Sequence, residues 1–328
     1  WVGVGGTRGG GGPPEAADGA ASARGTPGGE GGRTGPAGTG SGTVVSAVDA
    51  VAGTVQWEQS YAATGDPGPT AVVDGTVLAP VGGSVVALDA ASGDQQWSYA
   101  GGLASGITVA DGTVYVIGTQ DGTAKLSALS AADGTVSWEA DVAAETNHTT
   151  PAVADGTVYV GGTALQAFGA ADGREQWQVE TPVSAPPVVR EDSVVVGSGS
   201  ELAVYDTGGD ERWSVDLGTD DEPVPVTRPP AVADDRLYLS VADGIRSYDL
   251  ANGEEQYAVT IGIDGTPVVA DGYVYLLGPG QVTCLAADDG AAEWSYGTRQ
   301  HTVTDGVAPA VVDGVAYFPV ERLYAIAE

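Results

Sequence analysis

A chain of 328 residues, 42% of them hydrophobic, is long enough for one large all-β domain with a sizeable core. Its 44 acidic against 12 basic residues give a formal charge of −32, which repels phosphate backbones and excludes nucleic acid as a partner. The one cysteine, Cys284, excludes an intrachain disulfide, and no apolar run is long enough for a membrane-spanning helix.

Lysine occurs once, at Lys125. Dense carboxylates with almost no lysine suit concentrated salt, where their repulsion is screened to a range of about 3 Å at 1 M. A salt-adapted protein is therefore expected. Residues 1–42 contain 17 glycines among Pro, Ala, Ser, Thr and scattered charge. Such a segment cannot bury enough apolar surface to offset its ordering entropy, so it is predicted to be a disordered tether. A tether of this kind suits a domain held at a membrane through its N-terminus, and an extracellular or cell-surface placement is expected.

From Thr43 to Glu328 the chain repeats. Trp57, Trp97, Trp138, Trp177, Trp213, Tyr257 and Trp294 recur every 36 to 44 residues. Each closes a phrase that is clearest at Ala87, Asp89, Gly93 and Trp97 and is repeated at Ala47, Asp49, Gly53 and Trp57. The copy at Ser247, Asp249, Gly253 and Tyr257 is softened, and the turn before Trp213 is one residue short. A second phrase opens each repeat: PAVADGTVYV from Pro151, with copies from Pro187, Pro230, Pro267 and Pro309. Thr70 and Ile107 replace the proline in two others.

In each repeat, two short alternating runs flank a hairpin signal such as Asp155-Gly156 or Asp271-Gly272. A third run follows, such as Val85–Leu88, then a glycine turn and the tryptophan strand. Four antiparallel strands in about 40 residues make a propeller blade. The expected fold is an all-β propeller of about seven four-stranded blades, with eight as the alternative count. The last unit supplies three strands and the first supplies two. A composite blade drawn from both chain ends is expected to close the ring, although both ends offer a third strand.

The two phrases together resemble the PQQ-like (quinoprotein-type) β-propeller repeat family over residues 43–328, and the composition is similar to that of salt-loving archaeal proteins. In that family the alanine, glycine and tryptophan lock neighbouring blades. The resemblance implies the same structural role for the seven aromatic positions named above. The family includes quinoprotein dehydrogenases, which use pyrroloquinoline quinone and calcium. It also includes non-enzymatic propellers such as the lipoprotein of the outer-membrane barrel assembly machinery.

The dehydrogenases hold the quinone under a disulfide between adjacent cysteines, a feature this chain lacks. Cys284 stands in the alanine slot of its repeat and is expected in the core. Three connections are long enough to build a site: 141–150, 216–229 and 296–308. All join a fourth strand to the next first strand, so all emerge on one face. That face carries His148, Asp220, Asp221, Glu222, Arg228, Arg299 and His301 as the candidate interaction residues. The two histidines lie nearly opposite on the ring, so no metal site is expected. The run Asp220–Glu222 lacks the alternating ligands of a calcium loop. Arg228 and Arg299 suit an anionic partner. Asn147 begins a glycosylation acceptor triplet.

No catalytic constellation is found. The expected function is a non-enzymatic, monomeric protein-interaction or scaffold propeller with no cofactor. The alternatives are a quinone- and calcium-dependent oxidoreductase and the ectodomain of a sensor or adhesion protein.

Overall fold

Alternating apolar runs joined by two-residue turns leave the backbone one economical solution, the antiparallel meander. The computed structural model describes residues 2–6, 43–49, 52, 54–62, 69–143, 149–218, 223–263, 265–297, 310–312, 315–319 and 323–327. Blade 1 shows the pattern. Strands β4 (Ala71–Val73), β5 (Thr76–Val81), β6 (Ser84–Asp89) and β7 (Gln95–Tyr99) pair in chain order, each antiparallel to the last. Five further four-stranded sheets repeat it: blade 2 (residues 103–141), blade 3 (152–179), blade 4 (188–216), blade 5 (231–260) and blade 6 (268–297).

The hairpin signals behave as expected. Asp74, Asp111, Asp155 and Asp271 hold φ between 46 and 52°, and the glycines after them hold 72 to 80°. Two consecutive positive φ values give a turn whose twist matches that of the flanking strands. The second strand of each blade is buried on both faces because a neighbouring blade covers each side; all six residues of β5 are buried. The fourth strand is an outer edge and alternates, as in the exposed–buried–exposed run Gln96, Trp97 and Ser98 of β7.

The core is therefore divided among the seams between successive sheets. Val85, Ala87 and Trp97 of blade 1 pack with Val114, Val116 and Leu129 of blade 2. Tyr159, Leu165 and Ala167 of blade 3 meet Val194, Val196 and Ala203 of blade 4.

The chain ends depart from expectation. Strands β1 (Val2–Gly6), β2 (Thr43–Val48) and β3 (Val55–Tyr61) form one three-stranded sheet, packed on blade 1 through Val45, Ala47 and Trp57. Strands β28 (Ala310–Val312), β29 (Val315–Pro319) and β30 (Leu323–Ala327) form another, and Val311 packs against blade 6. The single composite blade is thus not the pairing observed. Both β2 and β30 are third strands, and one sheet has one third position. Instead β1 covers the β2 edge that a second strand would occupy. Val2–Gly6 thus form a strand within the segment expected to be a tether, and residues 7–42 lie outside the described residues.

Candidate functional site

The seven recurring aromatic residues come first, because they determine which groups remain for chemistry. In five seams the fourth-strand indole of one blade lies on the turn glycine of the next. A Cβ built on Gly93 would stand 2.6 Å from the Trp57 ring, on Gly134 2.6 Å from Trp97, and on Gly173 2.4 Å from Trp138. On Gly209 it would stand 2.9 Å from Trp177, and on Gly253 2.6 Å from Trp213.

Each indole N–H also donates to a carbonyl of that same turn. The acceptors are Ala90 at 2.9 Å, Ala131 at 3.1 Å, Ala170 at 2.9 Å, Thr207 at 2.8 Å and Leu250 at 2.9 Å. The glycine serves two ends at once. At Gly134 it accepts a φ of 71°, which an L side chain resists, and it leaves room for the ring. The short turn before Trp213 keeps the arrangement, with Gly209 N–H bonding to Asp206 in place of a residue one further back. Trp294 stands at the equivalent place on blade 6 and packs, with Val311 of the last sheet, against Tyr275 and Cys284.

The aspartate of the phrase caps the same turn. Asp89 accepts from the backbone N–H of Ser92 at 2.8 Å and of Ala91 at 3.0 Å. Those bonds, Ser92 first, hold its carboxyl below the ordinary aspartate range. Part of the acidic charge is thereby explained by architecture. First-to-second and third-to-fourth turns emerge together on one face, here called the turn face. It carries Asp74, Asp111, Asp155, Glu191, Asp234 and Asp271 around its inner rim. Arg212 on this face is paired with Asp192.

The opposite, loop face carries the second-to-third hairpins and the fourth-to-first connections. Those connections are tied down by hydroxyls. Thr149 Oγ1 donates to the Gly161 carbonyl at 3.0 Å and accepts from the Gly161 N–H at 3.1 Å. Ser184 Oγ lies 3.0 and 2.7 Å from the carbonyls of Gly197 and Val226. At the seam of blades 1 and 2, Tyr99 Oη meets Ser127 Oγ at 3.0 Å and accepts from Gln120 Nε2 at 2.8 Å. Glu139 Oε1 accepts from Tyr99, Gln120 and Ser127. The bond from Gln120 is the chief cause of a lowered Glu139 carboxyl, and burial raises the Tyr99 phenol.

Of the residues expected on the loop face, Arg228 is placed. It is half-buried, directly ahead of Pro229 and strand β20 (Ala231–Ala233). His148, Asp220, Asp221, Glu222, Arg299 and His301 lie outside the described residues, as does Asn147. The structure adds two cations that sequence reasoning missed. Lys125 binds Asp141 at 2.9 Å, and Arg246 donates to the Leu217 carbonyl at 3.3 Å and lies 3.9 Å from Asp243. Both stand three residues beyond a second-to-third turn, a position the repeat alignment could have flagged.

Among the described residues, no group of three or more His, Cys, Asp or Glu is placed to hold a metal ion. Cys284 is buried, opposite Tyr275 and Trp294 in its sheet, where its place in the repeat put it. No helix is long and apolar enough to cross a membrane among the described residues.

Known proteins share this architecture. A family model described as the outer membrane protein assembly factor BamB matches residues 40–164, 81–296 and 242–322. BamB of Moranella endobia is 27% identical over 251 residues, covering 67% of this chain. The match spans 64% of that relative's length. The crystal structure of BamB from Moraxella catarrhalis superposes with a TM-score of 0.64 at 17% identity, covering 79% of this chain and 88% of that one. The quinohemoprotein alcohol dehydrogenase ADHIIG from Pseudomonas putida HK5 does so with 0.55 at 15% identity, covering 76% and 68%. At these identities the two solved structures show the propeller fold alone.

Proposed function

This chain belongs to the family of the outer membrane protein assembly factor BamB, and from that premise we propose that it is a non-enzymatic interaction propeller. The reading places it at the cell surface or outside the cell, adapted to salt, with a protein partner on the loop face. The observation that carries it is the division of labour between the two faces. Turn-face aspartates such as Asp89 cap turns, and the turn-face arginines Arg212 and Arg236 bond to Asp192 and to the Ala287 carbonyl, while the loop-face end carries the fourth-to-first connections together with Lys125, Arg228 and Arg246. An acidic group on the partner suits the loop-face cations.

The test is a charge reversal. Purified chain carrying Lys125→Glu, Arg228→Glu and Arg246→Glu is cross-linked to solubilised envelope proteins of the native host in molar potassium chloride. It is compared with Arg174→Glu and Arg190→Glu on the turn face. The proposal expects specific cross-links to fall about tenfold with the first set and to persist with the second. Equal loss in both, or in neither, contradicts the loop face.

The proposal also includes no quinone cofactor. Titration with pyrroloquinoline quinone and calcium is expected to give no saturable absorbance change and no dye reduction; turnover would replace the scaffold reading with an oxidoreductase.

A further inference from the structure

The seams are not equal, and one stands apart on three counts. Between blades 5 and 6 the docking residue is Tyr257 on strand β23 (Glu255–Thr260). Its ring covers Gly290, where a Cβ would stand 2.7 Å away, but its hydroxyl makes no hydrogen bond of ordinary length, with Ser247 across the ladder as its polar neighbour. The carbonyl that an indole N–H would reach, that of Ala287, is taken by Tyr238 Oη and Arg236, each at 3.1 Å.

Two more buried hydroxyls make no hydrogen bond of ordinary length. Ser247 on strand β22 (Gly244–Asp249) stands opposite Tyr257 in the ladder and is fully buried. Thr283 on strand β26 (Gln281–Ala286) is 4% exposed.

Strand alternation places all three in the same seam. Ile245 and Tyr257 pack with Leu276 and Leu285 in the layer between blades 5 and 6. Ser247 shares its face with Ile245, and Thr283 shares its face with Leu285. The reason appears on comparison with blades 1 and 2. There the slot equivalent to Thr283 is Ser127, and the residue two beyond the docking aromatic, Tyr99, reaches it at 3.0 Å. Two beyond Tyr257 stands Val259, which has no polar atom to offer. Buried polar groups without partners favour states in which water reaches them.

We propose that the seam between blades 5 and 6 is the one at which this propeller opens, outer strand β23 parting from β26 before any other pair of blades separates. Arg236 and Tyr238, on the second strand of blade 5, hold the turn-face rim through Ala287 and keep the inner strands together while the outer ones part.

Hydrogen–deuterium exchange on the whole chain in molar salt tests this. Amides of residues 255–260 and 281–286 are expected to exchange about tenfold faster than their equivalents at 175–179 and 201–206, beside Trp177. Tyr257→Trp is expected to slow the first set towards the second. Ser247→Ala with Thr283→Val does the same without enlarging any side chain, and carries the test if the larger ring fails to fit. Equal exchange at the two seams overturns the proposal, as does exchange that the paired variant leaves unchanged.

Discussion

Two seams of one ring, built from the same phrase, are satisfied to different degrees. Between blades 1 and 2, Trp97 is 9% exposed, its N–H is bonded, and Tyr99 closes a network with Ser127, Gln120 and Glu139. Between blades 5 and 6 the aromatic ring is present but its polar tip and two neighbouring hydroxyls are stranded. The apolar half of the latch survives substitution by tyrosine; the polar half does not. A repeat protein can thus keep its shape with a degraded copy of its motif, because ring-on-glycine packing tolerates variation that hydrogen bonding cannot.

The comparison is broken most strongly by removing the ring. Trp97→Ala should cost about 3–5 kcal/mol in a denaturant titration, as expected for a large buried side chain. Tyr257→Ala should cost less, since no hydrogen bond is lost. The next largest effect comes from the glycine. Gly134→Ala combines a disfavoured positive φ with collision against the indole, about 2–4 kcal/mol together. Gly112→Ala, where an added Cβ meets nothing within 4 Å, should cost about 1 kcal/mol from φ alone.

The hydroxyls sharpen the contrast in sign. Ser127→Ala removes a bonded group and should destabilise by about 1 kcal/mol, whereas Ser247→Ala removes a stranded one and should be neutral or stabilising. Thermal melts read both.

Titration gives the smallest and broadest effect. Burial raises the phenols of Tyr99, Tyr115, Tyr159, Tyr205, Tyr238, Tyr248 and Tyr257. Folding thus favours their neutral forms. That contribution is complete below about pH 10, the unfolded value, and is lost as pH rises through the folded values. On the acid side, Asp89 and Asp133 are lowered by backbone hydrogen bonds, from Ser92 and Thr135 foremost, and Asp192 by its bond from Arg212. Their contribution is present above about pH 4 and is lost as pH falls through the lowered values. Melting temperature should therefore fall at both extremes in molar salt.

The blade and its docking slots were legible because they rest on local period: Ala87, Gly93 and Trp97 lie within one phrase, and Asp155-Gly156 declares its own turn. The strand at Val2–Gly6 was not, since Val-Gly-Val-Gly-Gly reads as glycine-rich tail and only the β2 edge, some forty residues on, makes it a strand. Nor was the state of each seam. Whether Thr283 is satisfied depends on the residue two beyond the previous blade's aromatic, a pairing visible only once register is known. The loop-face cations were half legible: Arg228 was placed by its connection, whereas Lys125 and Arg246 needed strand ends to be assigned.

The central claim is that the glycine is there for the neighbouring indole as well as for its own backbone. A double-mutant cycle between Trp97→Ala and Gly134→Ala tests it. The claim predicts that Gly134→Ala costs less once the ring is gone, with a coupling of about 1 kcal/mol or more. Equal cost in both backgrounds would mean that the glycine answers only to φ and that the ring is not what joins blade to blade.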